Sequence, residues 1–578
     1  MYKYSLTEIE FQSGEKMAVG GLAVVVGPNN SGKSQLLKDI ELLCTQENPP
    51  TVVIKGLTHT VPESLEDLKA SYRVAPERDA NGYYHFRGFR SDLAGTYSLG
   101  LGSSDWEAVA KQAIGRLPDD RWARGTFASW FGQRFVTRLR TEDRLLLTKK
   151  SSRADVNSIL GEFYDQGMAA EARLTKWVDD AFGTQVRLDY SDKAEFLFRV
   201  GTAFDGVPAD AREANPIMQA YLKLDDQGDG LRSFVATAVS LLVNRRSVLL
   251  LDEPEAFLHP PQAVAIGQVI AEVAQEGQQV IVATHSADVL RGILSRTSDI
   301  GLIRLSRSAG VGKVTVMNAG AVNRVANDPL LSSTRVLDGL FYRGVVVVEA
   351  DSDSVFYQRV AAKIRSGDEI HYVQAHNKQT LAKVAAPYRS LGLPVAVVPD
   401  FDVLRDRQEF KALLQAIQAE GIEVMLKHQE SIRSEIEGQP ISERLSNLRE
   451  AIEKALVECA PPGESSRESE ALSDIKRRLK KALEESDAWS AYKRRGRGEL
   501  TPSTQQCFDS IDRLGRRAGL FIVPVGELES WLVEFGIPRL SQKNHWIVQA
   551  LTKLSDLELP PESALSAFVR GLHDHLLE

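Results

Sequence analysis

The chain has 578 residues, 43% hydrophobic and 26% charged, a balance that supports several folded domains and excludes global disorder. Its 70 basic and 78 acidic residues give a formal net charge of −8 at pH 7, which argues against a chain-wide polyanion binder and confines any nucleic-acid contact to local basic patches. Cys44, Cys459 and Cys507 are far apart, so neither a disulfide framework nor a cysteine zinc site is expected, and a reducing cytoplasm fits. The charged amino terminus lacks the apolar core of a signal peptide, and no run approaches the roughly 18 apolar residues of a membrane span. A cytoplasmic protein with no membrane partner is the expectation.

In chain order, residues 20–26 (Gly-Gly-Leu-Ala-Val-Val-Val) form a short apolar run ending in a glycine-rich turn. Such a run reads as a parallel strand covered on both faces, which needs no polar alternation. Similar runs recur at 247–251, 280–283, 345–348, 395–398 and 521–525, with helix-like segments between them, as at 262–275 and 354–364. The alternation predicts an α/β fold with mainly parallel sheets. Two stretches interrupt it and read as insertions: about 50–215, with a basic segment at 121–153, and about 404–515, charged and helix-prone. A joint near 325–342 divides the chain into 1–335 and 336–578.

Gly27-Pro28-Asn29-Asn30-Ser31-Gly32-Lys33-Ser34 satisfies G-x-x-x-x-G-K-[ST] directly after the first strand. Its glycines let backbone N–H groups and a helix amino terminus face phosphates. Lys33 supplies a charge to the β- and γ-phosphates, and the Ser34 hydroxyl can ligate Mg²⁺. The run 248–251 then delivers Asp252 to the metal and Glu253 to the attacking water. His285 closes the next apolar run.

These residues resemble ABC-type ATPases, especially the DNA-repair and chromosome-maintenance branch. The resemblance implies that ATP is bound, that Glu253 is the catalytic base and that His285 contacts the γ-phosphate. It also implies a dimer, because a signature segment of one copy completes the site of another. Gln227-Gly228-Asp229-Gly230-Leu231-Arg232 stands at the expected place for that segment, with Gly228 and Gly230 as nucleotide contacts. Gln227-Gly228-Asp229 replaces the usual Ser-Gly-Gly, which removes a hydroxyl donor and implies slow hydrolysis or a structural ATP. No Q-loop is recognisable.

The second half carries a different chemistry. Strand-like 345–348 emits Glu349, with Asp353 four residues later, and 395–398 emits Asp400 and Asp402. The run 521–525 precedes Glu527 and Glu529. Acids at i and i+2 share a face of an extended chain, and open parallel sheets bind ligands beyond the carboxyl ends of their strands. Six like charges gathered there call for a hard, oxygen-liganded site for Mg²⁺ or Mn²⁺. Two ions would suit phosphodiester displacement.

Glu349, Asp353 and the Asp400-Phe401-Asp402 triplet look like a Toprim domain, with Ala350 in place of its usual glycine. The order of the two modules resembles the overcoming-lysogenization-defect family of ATPase–nucleases, including the nuclease subunit of Gabija-type phage defence. That resemblance implies two-metal cleavage assisted by a lysine, for which Lys543 is the nearest candidate, and a companion defence protein such as a helicase. Lys378 is a further substrate-contact candidate. Residues 476–497 hold nine basic and three acidic side chains around Trp489 and Tyr492. They offer a phosphate-neutralising patch with base-stacking rings, or else a solvated helix face. A DNA nuclease under ATP control is the leading expectation. A Toprim ribonuclease acting on RNA such as tRNA, and a non-cleaving ATP-dependent DNA-binding sensor, remain open.

Overall fold

A computed structural model describes residues 4–71 except 47 and 61, 135–308 except 154–157 and 244–247, 311–317, 337–365, 370–438, 487–539 and 543–577. It also describes scattered residues between 77 and 132, residue 328, and a few between 445 and 476. Two compact units result, Met1–Phe341 and Tyr342–Glu578.

The first unit is built on a six-stranded sheet ordered Val311–Met317, Gly301–Ser308, Leu22–Val26, Gln279–Ala283, Val248–Asp252, Val136–Leu139. All neighbours are parallel except the outermost Val311–Met317. Leu22–Val26, Val248–Asp252 and Gln279–Ala283 are buried along their whole length, as aliphatic strands covered on both faces must be. Because they are parallel, their carboxyl ends share one edge of the sheet. There the glycine-rich loop, Asp252-Glu253 and Thr284-His285 emerge.

A three-stranded antiparallel sheet, Lys16–Ala18, Ser5–Phe11 and Ile54–Thr60, belongs to the same unit. Gln279 ties it to the central sheet: its side chain accepts from Leu6 N at 2.8 Å and donates to Leu6 O at 2.9 Å and Gly20 O at 3.0 Å. Ile54–Thr60 and Val136–Leu139 both fall in the stretch 50–215 expected to be an insertion, yet each is a member of a sheet of this unit. Arg138 interrupts the second run, so no apolar signal marked it as an edge strand. The same stretch also supplies three strands of a small sheet, Ser151–Ser152, Gln185–Asp189 and Glu195–Gly201, which Leu222–Lys223 completes. Its buried Arg199–Asp189 pair is 2.9 Å apart.

The second unit has a parallel sheet ordered Ile370–Gln374, Gly344–Val348, Val395–Val398. Residues 519–523 run beside its edge: Val397 N donates to Gly519 O at 2.7 Å, Phe521 N to Val397 O at 2.9 Å and Val523 N to Pro399 O at 3.1 Å. The strand expected at 521–525 is therefore a single parallel bridge at Leu520, because Pro524 has no N–H to donate and the chain turns at Gly526. The core gathers Val346, Val348, Phe356, Tyr357, Trp531 and Trp546 beneath the carboxyl-terminal helix Ala564–Leu577.

Within 404–515 the described helices are Arg407–Ala416, Ile422–Glu437, Trp489–Arg495 and Pro502–Ala518. Glu435 fastens two of them, accepting from Thr501 N at 3.1 Å, Thr501 Oγ1 at 2.6 Å and Thr504 Oγ1 at 2.7 Å. Among the described residues, no helix is long and apolar enough to cross a membrane.

The helix Trp489–Arg495 meets the 519–526 segment with no room to spare. Gly526 has φ +107°, and a Cβ there would lie 2.3 Å from Lys493 O. Gly536, at φ +76°, has nothing within 4 Å. Gly526→Ala is expected to cost more than ~2 kcal/mol and Gly536→Ala about 1 kcal/mol in chemical denaturation. Equal losses would show that the Lys493 contact is not what constrains Gly526.

Candidate active sites

At the edge of the first unit, Gly27 has φ +144° and a Cβ there would stand 2.1 Å from Leu305 O, so only glycine lets the loop pass. Asn30 (φ 56°) and Gly32 (φ 101°) complete the turn into the helix Lys33–Thr45. Buried Asp39 anchors that helix by accepting from the N–H groups of Val52, Val53 and Ile54 at 2.9, 2.6 and 3.1 Å. The Lys33 ammonium lies over the loop and donates to Gly27 O at 2.7 Å and Pro28 O at 2.8 Å. The Ser34 hydroxyl donates to Asp252 Oδ1 at 2.9 Å, so two oxygens of the type Mg²⁺ prefers sit side by side.

Glu253 follows in the left-handed region at φ 48°, with its Oε1 3.0 Å from His285 Nε2. The His285 hydrogen bond holds the Glu253 carboxyl below its ordinary range against the opposing effect of burial, helped by Arg144 and Lys33. The His285 backbone is fixed in turn, since its N–H donates to Glu255 Oε1 at 2.6 Å. Burial pushes the Glu255 carboxyl up, and that N–H opposes the rise. The structure thus brings Lys33, Ser34, Asp252, Glu253 and His285 to one edge.

Three residues of this edge escaped the sequence reading. Arg138 Nη2 donates to Asp252 Oδ2 at 2.8 Å and to Ser34 O at 3.3 Å. Arg144, fully buried, donates from Nη1 to Asp252 O at 2.7 Å and from Nη2 to Glu253 O at 2.5 Å. Burial pulls its guanidinium down to about 10, opposed by Glu255, Asp252 and Glu253. Glu255 is the third. The two arginines lie in the basic segment 121–153, where composition alone did not distinguish them from their charged neighbours. The part of that segment outside the described residues has no structural account.

The turn bearing Gly228 and Gly230 opens the helix Asp229–Val243. Gly228 is exposed with open space around it, whereas a Cβ on Gly230 would lie 2.8 Å from Phe257 O. Arg232 anchors the turn by donating to Asp229 Oδ1 at 2.9 Å and to Leu145 O at 2.9 Å.

At the edge of the second unit, Glu349 Oε1 accepts from Asp400 N at 3.1 Å, which ties two adjacent strand ends together. Asp353 is buried in the first turn of the helix Asp351–Ile364, and its Oδ2 accepts from Ala350 N at 2.8 Å. Asp402 Oδ2 is shared by two ammonium groups, Lys493 at 3.4 Å and Lys378 at 3.5 Å. Burial pushes the Glu349 carboxyl up to about 6, reinforced by the negative charges of Asp402 and Asp353. Glu527 is paired with the Arg539 guanidinium, and Glu529 is buried beside it in the chain.

The extended geometry expected for the i, i+2 pairs is absent. Asp402 lies in the 3₁₀ turn Phe401–Arg405 that Asp400 caps, and Glu529 in the turn Leu528–Ser530 capped by Glu527. Among the described residues, no three carboxylate, histidine or cysteine groups are gathered as a cation-holding cluster. The donor set is nevertheless all oxygen, and burial together with the charges of Asp402 and Asp353 raises the Glu349 carboxyl, a combination that a hard divalent cation relieves.

Lys543 begins the helix Lys543–Asp556, and its side chain lies outside the described residues. Trp489 and Tyr492 are only 3% and 5% exposed, so the expected base-stacking platform is instead a core contact of their helix. Residues 477–486 of the basic patch lie outside the description. Of the remainder, Lys493 faces Asp402, Arg495 pairs with Glu499 and Arg497 with Asp509. Lys493 was counted as part of a surface patch, and nothing in its local sequence singled it out for the acidic site.

Comparison with known proteins adds independent findings. Residues 22–291 match the family model described as "AAA domain, putative AbiEii toxin, Type IV TA system". Residues 340–402 match "Overcoming lysogenization defect protein-like, TOPRIM domain". The Old nuclease of Escherichia phage P2 is 23% identical over 168 residues, 27% of this chain and 28% of that protein. UvrABC system protein A of Haemophilus ducreyi is 25% identical over 150 residues, 24% of this chain and 15% of that protein. The chain thus spans under a third of the length of either curated relative.

Among solved structures, an Smc head bound to the C-winged helix domain of ScpA is 14% identical, with 56% of this chain and 100% of that one covered at TM-score 0.35. The Pyrococcus furiosus Smc head with an extended coiled coil is 11% identical, with 56% and 98% covered at TM-score 0.33. The chain is an α/β fusion of an ATPase domain and a TOPRIM domain. The second of these domains resembles that of overcoming lysogenization defect proteins.

Two expected outcomes follow from the geometry. Lys33→Ala should abolish ATP binding, whereas Glu253→Gln should retain it and slow hydrolysis by about 100-fold or more, as removal of a general base does. Loss of binding in Glu253→Gln would contradict the role read for that carboxylate. For Glu349, the unfolded chain releases its proton near 4.5 and the folded chain at about 6. The folded state therefore binds more protons between those values, and stability falls as pH rises through that window. In EDTA, Glu349→Gln should be more stable than wild type at pH 7.5 by roughly 2 kcal/mol. That gap should close by pH 4.5, and a gap independent of pH would contradict the buried, crowded carboxyl.

Proposed function

We propose that the chain is an ATP-binding, divalent-metal-dependent nuclease that cleaves DNA under nucleotide control. Residues 1–335 form the nucleotide module and residues 336–578 the cutting module. The observation that carries this reading is the acidic edge of the second unit, where Glu349 is hydrogen-bonded to the Asp400 N–H and Asp402 faces Lys378 and Lys493. Carboxylates and ammonium groups converge there on the side of the sheet where α/β folds bind ligands.

In the nucleotide module, Lys33 and the loop N–H groups would hold the phosphates, and Ser34 and Asp252 would hold Mg²⁺. Glu253, kept ionised beside His285, accepts the proton of the attacking water. In the cutting module, Glu349, Asp400 and Asp402 would hold Mg²⁺ or Mn²⁺, with Asp353, Glu527 and Glu529 close in the chain to the same strand ends. Such a cation supplies Lewis acidity and a more acidic bound water. Lys378 and Lys493 balance the charge of Asp402 and provide ammonium groups for a backbone phosphate. The open turn at Gly228 suits engagement by a second copy, hence a homodimer or larger assembly. The resemblance to overcoming lysogenization defect proteins supports a role in bacterial anti-phage defence with a companion protein.

The test incubates the purified chain with supercoiled plasmid, linear duplex, single-stranded DNA and total RNA, in Mg²⁺ or Mn²⁺, with and without ATP. DNA should be cut only with a divalent cation, and the rate should fall by about 100-fold or more in Glu349→Gln. Cutting of RNA alone would replace the substrate. No cleavage of any polymer, with ATP binding intact, would contradict the nuclease reading.

A further inference from the structure

We propose that Arg144 is the positioning residue of the ATPase glutamate, and that the helix carrying it links Glu253 to the glycine-rich turn at 227–232. The inference rests on the reading that the first unit hydrolyses ATP, and it adds a residue and a coupling route to that site.

Glu253 is held in the left-handed region at φ 48°, which a non-glycine residue adopts only when its surroundings impose it. Its N–H donates to Ala283 O at 2.8 Å and its carbonyl accepts from Ala256 N at 3.0 Å, and one side chain joins these backbone partners. The Arg144 guanidinium, 0% exposed, reaches the carbonyls of both Asp252 at 2.7 Å and Glu253 at 2.5 Å. The planar fork makes two fixed bonds where a lysine makes a looser contact. Those bonds set the peptide that separates the metal-side acid from the base. They leave the Glu253 carboxylate 3.0 Å from His285 Nε2.

The hydrolytic step needs that placement. Water oxygen forms a bond to the γ-phosphorus, the bond from phosphorus to the β–γ bridging oxygen breaks with its electron pair leaving on ADP, and the water proton passes to Glu253. Arg144 touches neither water nor phosphate in this scheme. It acts through the backbone of the residues that do.

The same short helix, Thr141–Leu147, faces a second partner. Leu145 O accepts from Arg232 Nη2 at 2.9 Å, and Arg232 also holds Asp229 at 2.9 Å. Arg232 closes the turn that begins at Gln227, and the remainder of that turn is open to solvent at Gly228 and Asp229. Adjacent residues of this helix, Arg144 and Leu145, thus join the catalytic base to an exposed turn, each by hydrogen bonds to one of them. A shift of the turn when a ligand or a second copy engages it is carried to Glu253 inside one chain.

The test compares wild type, Arg144→Ala, Arg144→Lys, Arg232→Ala and the Arg144→Ala/Arg232→Ala double variant for ATP affinity and steady-state hydrolysis. Arg144→Ala should lower kcat by about 30-fold or more while ATP affinity stays within about 3-fold, because the phosphate loop is untouched. Millimolar guanidinium should restore part of its kcat and none of Lys33→Ala's. Arg144→Lys should fall between the two. Arg232→Ala should lower kcat less, and the double variant should be no slower than Arg144→Ala, as expected for residues acting in series.

Unchanged kcat in Arg144→Ala, or an equal loss of affinity and kcat, would overturn the positioning role. Additive losses in the double variant would overturn the link. If Arg144→Ala does not fold, Arg144→Lys decides, since wild-type kcat in that variant would overturn the proposal. A wild-type chain that binds ATP without hydrolysing it would remove the ATPase reading, and the inference with it.

Discussion

Both sites depend on one electrostatic constraint: carboxylates delivered by apolar parallel strands must find cations or N–H donors at the strand ends. Leu249, Leu250 and Leu251 before Asp252, and Val345–Val348 before Glu349, are fully buried. A charge leaving such a strand is partly desolvated, and desolvation disfavours the ionised form unless something opposes it.

The two units meet this constraint in opposite ways. In the first, cations from the chain itself complete the compensation. Arg138 and Ser34 take the two oxygens of Asp252, Arg144 takes the carbonyls behind it, and His285 keeps Glu253 ionised. The resulting edge is already hydrogen-bonded before any ligand arrives, as preorganised electrostatics require. In the second, Lys378 and Lys493 both settle on Asp402, and Glu349 is left with a carboxyl pushed up to about 6. A carboxyl desolvated and crowded in this way is suited to an exchangeable divalent ion, and its proton affinity competes with that ion below neutral pH.

The parallel sheets and the acids at their ends were legible because they depend on local pattern: aliphatic runs of four or five residues, a phosphate-loop spacing, and acids directly after the runs. What stayed hidden depends on contacts across tens of residues. Arg138 and Arg144 lie more than a hundred residues before the acids they hold, in a segment whose charge also suits a solvated face. Val136–Leu139 carries an arginine in an edge strand and so lacked an apolar signature. Lys493 reaches Asp402 only because a glycine at 526 lets its helix approach the chain so closely. The i, i+2 argument failed because both acidic pairs enter 3₁₀ turns, where a period of three replaces that of two. Trp489 and Tyr492 were read as exposed among basic neighbours, but they face the other way, into the core.

Under the proposed function, nucleotide bound in the first unit controls cutting by the second. The most direct measurement is the rate of plasmid cleavage by wild type and Lys33→Ala in Mg²⁺, with no nucleotide, with ATP and with a non-hydrolysable analogue. With nucleotide control the wild-type rate changes by about tenfold or more with nucleotide, while Lys33→Ala cuts at one rate in all three conditions. A wild-type rate indifferent to nucleotide, or a Lys33→Ala rate that still responds to it, would contradict the account.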